Sequence, residues 1–260
     1  MTNVKKRDQL IKKWLQNAGE EIKQSLKTDL KVETKSSKSD LVTKMDREIE
    51  KKLVKKIKEN FPKDKIISEE GFGDDLDDID RAEDRVWYLD PIDGTLNFVL
   101  QNEKFAIMVA IYDKNIGQQA YIYDVMKDKL YWSLKGQGVF KNNKELTQIN
   151  NTALTDGLFA SNSRFISDEQ VKLNAKITKH SMGVRTIGSA AMEAVELVEG
   201  NTVAYLSYGL NAWDIAAGYM MINEIGGSVQ RLDGLTIDFL DPAPSIMGTK
   251  QAVKDIQDLL

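Results

Sequence analysis

The stretch VWYLDPIDGT, residues 86–95, decides how the rest of this 260-residue sequence is interpreted. Its first four residues are apolar and typical of a buried strand. The strand is predicted to end at two aspartates three residues apart, with Pro91 stiffening the turn between them. Gly94 and Thr95 follow, and their backbone N–H groups are expected to begin a helix. The stretch therefore places carboxylates for a cation beside amides for an anion.

Asp90 and Asp93 fit two interpretations. Mg²⁺ prefers oxygen ligands and is usually held by one or two carboxylates, with water and substrate phosphate completing its coordination. Amides at the following helix start would bind that phosphate. The structural alternative is an Asx-turn that leads into a helix N-cap, which Asp-x-x-Asp-Gly often forms. The stretch alone leaves both interpretations open.

Three further acidic positions also have structural alternatives. Glu69-Glu70 ends a predicted strand, although adjacent acids are commonplace on protein surfaces. Asp46 shares the apolar face of a predicted helix over residues 43–60, where it either neutralises the helix N-terminus or hydrogen-bonds a buried partner. Asp214 lies in the first turn of another predicted helix, where an N-cap role is the plain interpretation.

Composition excludes several other chemistries. Cys is absent and His occurs once, at His180, between polar neighbours that indicate a surface position. Thiolate nucleophiles, disulfides, iron–sulfur clusters and multi-His zinc sites are therefore excluded. A net charge of −4 argues against nonspecific nucleic-acid binding, so no nucleic-acid partner is expected. Carboxylates, hydroxyls, lysines and hard cations remain for catalysis.

The sequence predicts a cytoplasmic globular protein without a membrane segment. Hydrophobic residues make up 42% and charged residues 29%, which is enough apolar material for a core. No apolar run approaches the roughly 20 residues that a membrane span requires. The basic N-terminus is not followed by the uninterrupted apolar segment of a signal peptide.

Hydrophobic periodicity predicts helices interleaved with mainly antiparallel strands. A β-meander is predicted over residues 105–146, and later strands over residues 202–208 and 227–232. This alternation indicates a layered α/β architecture. Helices are predicted over residues 4–26, 43–60, 188–200, 213–225 and 253–260.

Two polar segments are interpreted as connections. The polar residues 147–157 are predicted to connect two lobes, an N-terminal lobe of residues 1–150 and a C-terminal lobe of residues 151–260. Together the lobes are expected to form one compact unit. The acidic run at residues 71–84 is predicted to be a solvated, mobile loop. It lacks the glycine and terminal glutamate spacing of an EF-hand calcium loop.

Taken in order, these motifs resemble the inositol monophosphatase family, which shares its fold with fructose-1,6-bisphosphatase. The family pattern is an Asp in a helix, Glu-Glu, Asp-Pro-Ile-Asp-Gly-Thr and, near the end, Trp-Asp-x-x-Ala-Gly. The resemblance covers nearly the whole chain and implies a layered α-β-α-β-α sandwich with mostly antiparallel sheets, often a homodimer. The matching positions are Asp46, Glu69-Glu70, residues 90–95 and 213–218, with Lys35-Ser36-Ser37, residues 40–43 and Gly188-Ser189-Ala190.

The resemblance also implies a lithium-sensitive, magnesium-dependent phosphatase that hydrolyses a small phosphate monoester with two to three Mg²⁺ ions. Asp90 would bridge the first two ions, and a third, weaker ion would lie on Glu69 and waters. The implied ligands are Glu69, Asp90 and the Ile92 carbonyl oxygen for the first ion, and Asp90, Asp93 and Asp214 for the second.

The catalytic residues implied by the resemblance are Asp46, Thr95 and Glu69. Thr95, hydrogen-bonded to Asp46, would orient the attacking water and accept its proton with help from Glu69. Backbone N–H groups of Gly94 and Thr95 would hold the phosphate oxygens. Supporting roles fall to Lys35 and Glu70.

The substrate stays open at this point. Family relatives act on inositol monophosphates, the 2′-phosphate of NADP, 3′-phosphoadenosine phosphate or fructose-1,6-bisphosphate. The implied substrate-binding positions are Ser189, Ala190 and Ser207, and the animal inositol monophosphatases have a Glu where this chain has Ser207. We therefore expect inositol monophosphate and/or NADP as substrate. A non-catalytic binding protein on the same fold is the remaining alternative, and the intact carboxylates argue against it.

Overall fold

The computed structural model describes residues 3–27, 32–34, 41–162 and 167–260. The predicted supporting residue Lys35 lies outside the described residues, as do its neighbours Ser36, Ser37 and Asp40. Helices in the described part are α1 (Asn3–Ser25), α2 (Lys44–Asn60), α3 (Thr95–Gln101), α4 (Asp168–Lys179), α5 (Ala190–Val198), α6 (Ala212–Glu224) and α7 (Lys250–Gln257), with 3₁₀ turns at Leu76–Asp78 and Leu154–Asp156.

The described strands are β1 (Val32–Thr34), β2 (Leu41–Thr43), β3 (Lys65–Ser68), β4 (Arg85–Asp93), β5 (Ala106–Asp113), β6 (Ile116–Asp124), β7 (Lys129–Leu134), β8 (Val139–Lys141), β9 (Lys144–Glu145), β10 (Leu158–Ser161), β11 (Gly183–Arg185), β12 (Ala204–Ser207), β13 (Ser228–Arg231) and β14 (Ser245–Gly248). They form a seven-stranded sheet in the order β3-β4-β5-β6-β7-β8-β9, a five-stranded sheet in the order β11-β10-β12-β14-β13, and a small β1-β2 pair. Pairs β3–β4, β10–β11 and β10–β12 are parallel, and the others are antiparallel. The predicted, mostly antiparallel pairing is confirmed.

Five layers stack in the order helix, sheet, helix, sheet, helix. The first layer, α1 and α2, shares a buried cluster with one face of the seven-stranded sheet, including Trp14, Leu53 and Trp87. The third layer, α5 and α6, lies between the sheets, where its apolar residues share a second cluster with Met108 and Met247. α4 and α7 pack behind the five-stranded sheet. The predicted α-β-α-β-α sandwich is confirmed.

Strand β4 is apolar from Val86 to Leu89 because both of its faces are covered there. Val86 and Tyr88 belong to the cluster with α5 and α6, whereas Trp87 and Leu89 belong to the cluster with α1 and α2. Successive side chains of a strand point to opposite faces, so a strand between two helical layers needs apolar residues at every position.

Strand β4 ends in the two predicted aspartates, but it continues through Asp93 instead of turning at Pro91. Its pairing with β5 shifts between Asp90 and Asp93, where one extra residue is accommodated as a bulge. Pro91 lies inside this irregularity, since proline cannot donate a hydrogen bond to the ladder. The bulge brings both aspartates to the sheet end, directly before α3.

Several elements of the second half were not predicted, namely α4, β10, β11 and β14. Helix α4 buries only Ile177 among its described positions, so its apolar periodicity is weak. His180 is its exposed C-cap, which confirms the surface position. The seven-stranded sheet ends before the polar residues 147–157, and the five-stranded sheet begins after them. The helices between the sheets, however, pack against both. The division into two lobes therefore stays a prediction.

The acidic run at residues 71–84 is anchored at its beginning. Asp74 N donates to the Ile66 carbonyl at 2.8 Å, and Ile66 N donates to the Asp74 carboxylate at 2.8 Å. Lys58 also donates to that carboxylate, at 2.6 Å. Most of the later residues are exposed, as predicted. Among the described residues, no helix combines the length and the apolar character that crossing a membrane demands.

Candidate active site

Three aspartates from two elements meet at one end of the seven-stranded sheet. Asp90 and Asp93 come from the bulged end of β4, and Asp214 comes from the first turn of α6. One carboxylate oxygen from each lies within 4.8 Å of the others. Asp90 and Asp93 are buried, and Asp214 is partly buried. The fold thus brings together three of the predicted metal ligands.

The carboxylates of this cluster repel one another in a poorly solvated place. Burial, followed by the charges of Glu69, Asp93 and Asp214, raises the pKa of Asp90 well above its ordinary value. Burial and the charges of Asp93 and Glu69 likewise raise the pKa of Asp214. A cation among these oxygens would relieve the repulsion, and an all-oxygen donor set suits Mg²⁺. The residues present therefore fit a magnesium site.

Asp93 is held by the first turn of α5. Its carboxylate accepts hydrogen bonds from the Ser189 hydroxyl, from Ala191 N at 2.8 Å and from Ala190 N at 3.3 Å. Burial raises the pKa of Asp93, and these donors oppose that rise. Ser189 and Ala190, predicted to bind substrate, thus contact a predicted metal ligand here.

Glu69 follows β3 and extends its pairing with β4, because Glu69 N donates to the Leu89 carbonyl at 3.2 Å. It is partly buried, and its charge acts on Asp90 and Asp214. The structure therefore brings Glu69 to the same cluster. The neighbouring Glu70 lies 3.9 Å from Arg47 Nε through its carboxylate.

Asp46 fulfils both structural options left open by the sequence. One carboxylate oxygen accepts from Thr43 N at 2.9 Å and from the Thr43 hydroxyl, which completes a capping box at the start of α2. The other oxygen lies 3.4 Å from the Thr95 hydroxyl. Burial raises the pKa of Asp46 to about 6, against the opposing effect of the Thr43 hydrogen bonds. The structure therefore places the Asp46 carboxylate beside its predicted partner, the Thr95 hydroxyl.

Gly94 joins the end of β4 to α3 in a conformation that favours glycine. Its φ is +87°, and a Cβ at this position would lie 2.9 Å from the Ser189 Cβ. The Thr95 hydroxyl lies 3.1 Å from the Ile92 carbonyl, the predicted backbone ligand. The starts of α3 and α5 therefore approach each other beside the carboxylates.

Ser207 ends β12 directly opposite Ser245 of β14. Its side chain is buried on the same strand face as Tyr205, whose pKa is raised by burial and also by the charges of Glu193, Asp93 and Asp214. The hydroxyl of Ser207 is shielded from solvent. The predicted substrate-binding position is thus beside the site, beneath its accessible surface.

Two buried glutamates beside the site were not predicted from the sequence. Glu50 lies one turn after Asp46 on α2, and its carboxylate accepts from Ser68, Glu70 and Phe72. Glu193 of α5 accepts from Ile187 N at 2.6 Å, and burial raises its pKa to about 7. An acid at i+4 from a predicted inward Asp is a signal that could have found Glu50.

Comparison with known proteins finds inositol monophosphatases that are similar to this chain over nearly its whole length. An inositol-1-monophosphatase of Bacillus subtilis is 37% identical over 259 residues, covering 98% of this chain and 97% of that protein. A crystal structure of an IMPase/NADP phosphatase with Mg²⁺ and phosphate superposes with a TM-score of 0.91 at 26% identity, covering 100% of this chain and 96% of that chain. A lithium-soaked inhibitory complex of staphylococcal inositol monophosphatase-1 gives 0.92 at 26% identity, with coverages of 100% and 96%.

The model of the inositol monophosphatase family matches residues 3–257, which includes every metal and catalytic position predicted above. One relative of this length and fold was solved with Mg²⁺, which is consistent with a metal site at the buried carboxylate cluster of this chain. The chain therefore belongs to the inositol monophosphatase family and is a magnesium-dependent phosphoric monoester hydrolase.

Proposed function

We propose that this chain hydrolyses inositol monophosphate and the 2′-phosphate of NADP at the cluster of Asp90, Asp93 and Asp214. The cluster carries the proposal, because buried oxygens within 4.8 Å of one another need cations to be ionised together. Both substrate classes are named for the relatives described above. 3′-Phosphoadenosine phosphate and fructose-1,6-bisphosphate are the alternatives to be compared.

The proposed ligands of Mg²⁺ are the carboxylates of Glu69, Asp90, Asp93 and Asp214 with the Ile92 carbonyl. Bound Mg²⁺ supplies positive charge that acidifies water and stabilises the leaving oxygen. Asp93 is already oriented by its donors on α5, so it needs little rearrangement to bind a cation. Lithium inhibition is part of the proposal, supported by the lithium complex of the staphylococcal neighbour.

Asp46 and Thr95 are proposed to handle the proton of the attacking water. Thr95 Oγ1 lies 3.4 Å from Asp46 Oδ1, so it can accept a proton from water while its own proton moves to Asp46. The pKa of Asp46 of about 6 suits a base that works near neutral pH. Glu69 is proposed to assist in this proton transfer. The new P–O bond forms from the water oxygen as the ester P–O bond breaks. The leaving alkoxide takes a proton from solvent, and Asp46 later returns to solvent the proton that it took from the attacking water, so the protons balance.

Gly94 and Thr95 are proposed to bind the phosphate through their backbone N–H groups. The first N–H groups of a helix have no acceptor within that helix, and they face the anion instead. Substrate specificity is assigned to Ser189, Ala190 and Ser207. Ser207 is shorter than a Glu and uncharged, so it relaxes the repulsion that a Glu would exert on a second phosphate nearby.

We also propose a homodimer and two lobes, residues 1–150 and 151–260. The edge strand β11 supports the dimer, because Met182 and Val184 beside and within it are 71% and 43% exposed. Light scattering coupled to gel filtration should give twice the chain mass, and a monomer would contradict the proposal. The cytoplasmic location stays a prediction.

The test is release of inorganic phosphate from the four candidate substrates in the presence of Mg²⁺. The highest kcat/KM values are expected for inositol 1-phosphate and NADP, and EDTA should abolish both activities. Dominant activity on fructose-1,6-bisphosphate or 3′-phosphoadenosine phosphate would contradict the substrate assignment. Full activity after exhaustive metal removal would contradict the assigned site.

A further inference from the structure

Glu50 is a fully buried acid that takes no part in the reaction proposed above. Its Oε1 accepts hydrogen bonds from the Ser68 hydroxyl at 2.7 Å and from Phe72 N at 2.9 Å, and its Oε2 accepts from Glu70 N at 2.8 Å. Burial raises the pKa of Glu50, and these three donors oppose the rise. A carboxylate in such a place is costly unless it is fully hydrogen-bonded.

The three donors of Glu50 lie on both sides of Glu69. Ser68 precedes Glu69, and Glu70 and Phe72 follow it, so the backbone of residues 68–72 curves around a single carboxylate. On the opposite side, Glu69 N bonds to the Leu89 carbonyl of β4, one residue before Asp90. The segment is therefore fixed between helix α2 and strand β4.

Helix α2 links this arrangement to the proton acceptor. Asp46 and Glu50 are four residues apart, so both point from one face of a single rigid helix. Asp46 reaches Thr95, and Glu50 reaches the backbone around Glu69. The distance between the proposed base and the segment that carries Glu69 is thereby fixed by one turn of α2.

We propose that Glu50 is a positioning residue that holds Glu69 against Asp90 and so sets the affinity of the site for Mg²⁺. The proposal rests on the proposed role of Glu69 as a metal ligand. Glu50 contacts neither ion nor substrate. It acts by pre-orienting the 68–72 backbone, because a ligand that is already in place loses less conformational freedom when the ion binds.

The experiment compares Glu50→Gln and Glu50→Asp with the matched control Glu48→Gln. Gln presents an amide N–H₂ where one carboxylate oxygen stood, so at least one of the backbone donors loses its acceptor. Asp keeps the charge but is one methylene too short to reach the same donors. Glu48 lies on the same helix, is paired with Lys44 near the surface, and loses the same charge in its Gln variant.

Three quantities are measured on the full chain: amide hydrogen exchange of Glu70 and Phe72 without metal, Mg²⁺ affinity by calorimetry, and thermal stability. Both Glu50 variants should exchange these amides about tenfold faster and bind Mg²⁺ about tenfold more weakly, the expected effect of losing one charge-assisted hydrogen bond. The control should stay within about twofold of wild type, since exposed ion pairs contribute little.

Several outcomes would overturn the inference. Unchanged Mg²⁺ affinity in Glu50→Gln is one. A second is weaker Mg²⁺ affinity in Glu50→Gln with unchanged amide exchange, because that result indicates only the loss of a charge. A third is wild-type Mg²⁺ affinity in Glu50→Asp. If Glu50→Gln does not fold, Ser68→Ala removes one donor and should shift exchange and affinity in the same direction. A wild type that binds no Mg²⁺ overturns the proposed function and this inference with it.

Discussion

The pairing of Asp46 with Thr95 can be tested by removing each partner and then both. Asp46→Asn keeps an oxygen that can accept from Thr43 N, so the capping box at the start of α2 is retained. The amide cannot take a proton from Thr95, which lies 3.4 Å away. Thr95→Ala removes the hydroxyl but leaves the backbone N–H in place for phosphate.

The magnitude follows from the role assigned to the pair. Positioned proton transfer contributes roughly 10²–10⁴-fold to rate, so each single variant should lose about that factor in kcat. Because the two groups would act as one unit, the double variant should be little worse than either single variant. Fully additive losses, in which the double variant shows the product of both factors, would rule out a shared step.

The stability of the metal-free protein provides an independent readout for Asp46. Its pKa rises from 3.8 to about 6 on folding, so the folded chain binds more protons than the unfolded chain between these values. The contribution of Asp46 to the free energy of unfolding is therefore greatest below about pH 4. It falls by on the order of 3 kcal/mol as the pH rises through about 6. Asp46→Asn should remove that part of the pH dependence.

The assay is initial phosphate release from inositol 1-phosphate at saturating Mg²⁺, with urea unfolding of metal-free protein at pH 5 and pH 8. We expect low kcat in Asp46→Asn together with a smaller loss of stability between the two pH values than in wild type. A variant with near-normal kcat would contradict the base assignment. An unchanged pH dependence of stability would contradict the buried, raised pKa.

Three further predictions concern other residues of the site. Asp93→Asn should retain the fold but lose more than about a hundredfold in activity at saturating Mg²⁺, because it removes the negative charge of a proposed Mg²⁺ ligand; activity within tenfold of wild type would count against the ligand set. Ser207→Glu should shift the ratio of kcat/KM for inositol 1-phosphate over NADP about tenfold upward, the scale of one hydrogen bond to a charged group; an unchanged ratio in a variant of wild-type melting temperature would contradict the specificity role. Gly94→Ala should lower the free energy of unfolding by about 1–2 kcal/mol because of its positive φ and its approach to Ser189; unfolding indistinguishable from wild type would show that the turn tolerates a side chain.

Short-range patterns predicted the alternation of helices and strands and marked individual acidic residues, whereas the order of the layers and the acidic cluster followed from the resemblance to the family. Asp46 interrupts an apolar helical stripe, and that interruption is visible without any tertiary information. The apolar run before Asp90 similarly required a strand covered on both faces. The family pattern then connected residues far apart in the chain, such as Asp214, to the same site.

What the sequence did not predict depends on partners distant in the chain. The bulge between Asp90 and Asp93 exists because β4 pairs with β5, so no feature of β4 alone indicates its full length. The i+4 spacing from Asp46 places Glu50 on the inward face of α2, but its partners in the 68–72 segment cannot be identified from α2 alone. The burial of Ser207 likewise results from the packing around its strand, which no local pattern encodes.

A crystal soaked in Mn²⁺ and measured for anomalous scattering would locate the ions themselves. Mn²⁺ takes the same oxygen ligands as Mg²⁺ and scatters anomalously. We predict at least two peaks, one of them within direct coordination distance of carboxylate oxygens of Asp90, Asp93 and Asp214, with Glu69 and the Ile92 carbonyl beside the other. Crystals of an active protein with no peak among these oxygens would contradict the assignment of this cluster as the catalytic metal site.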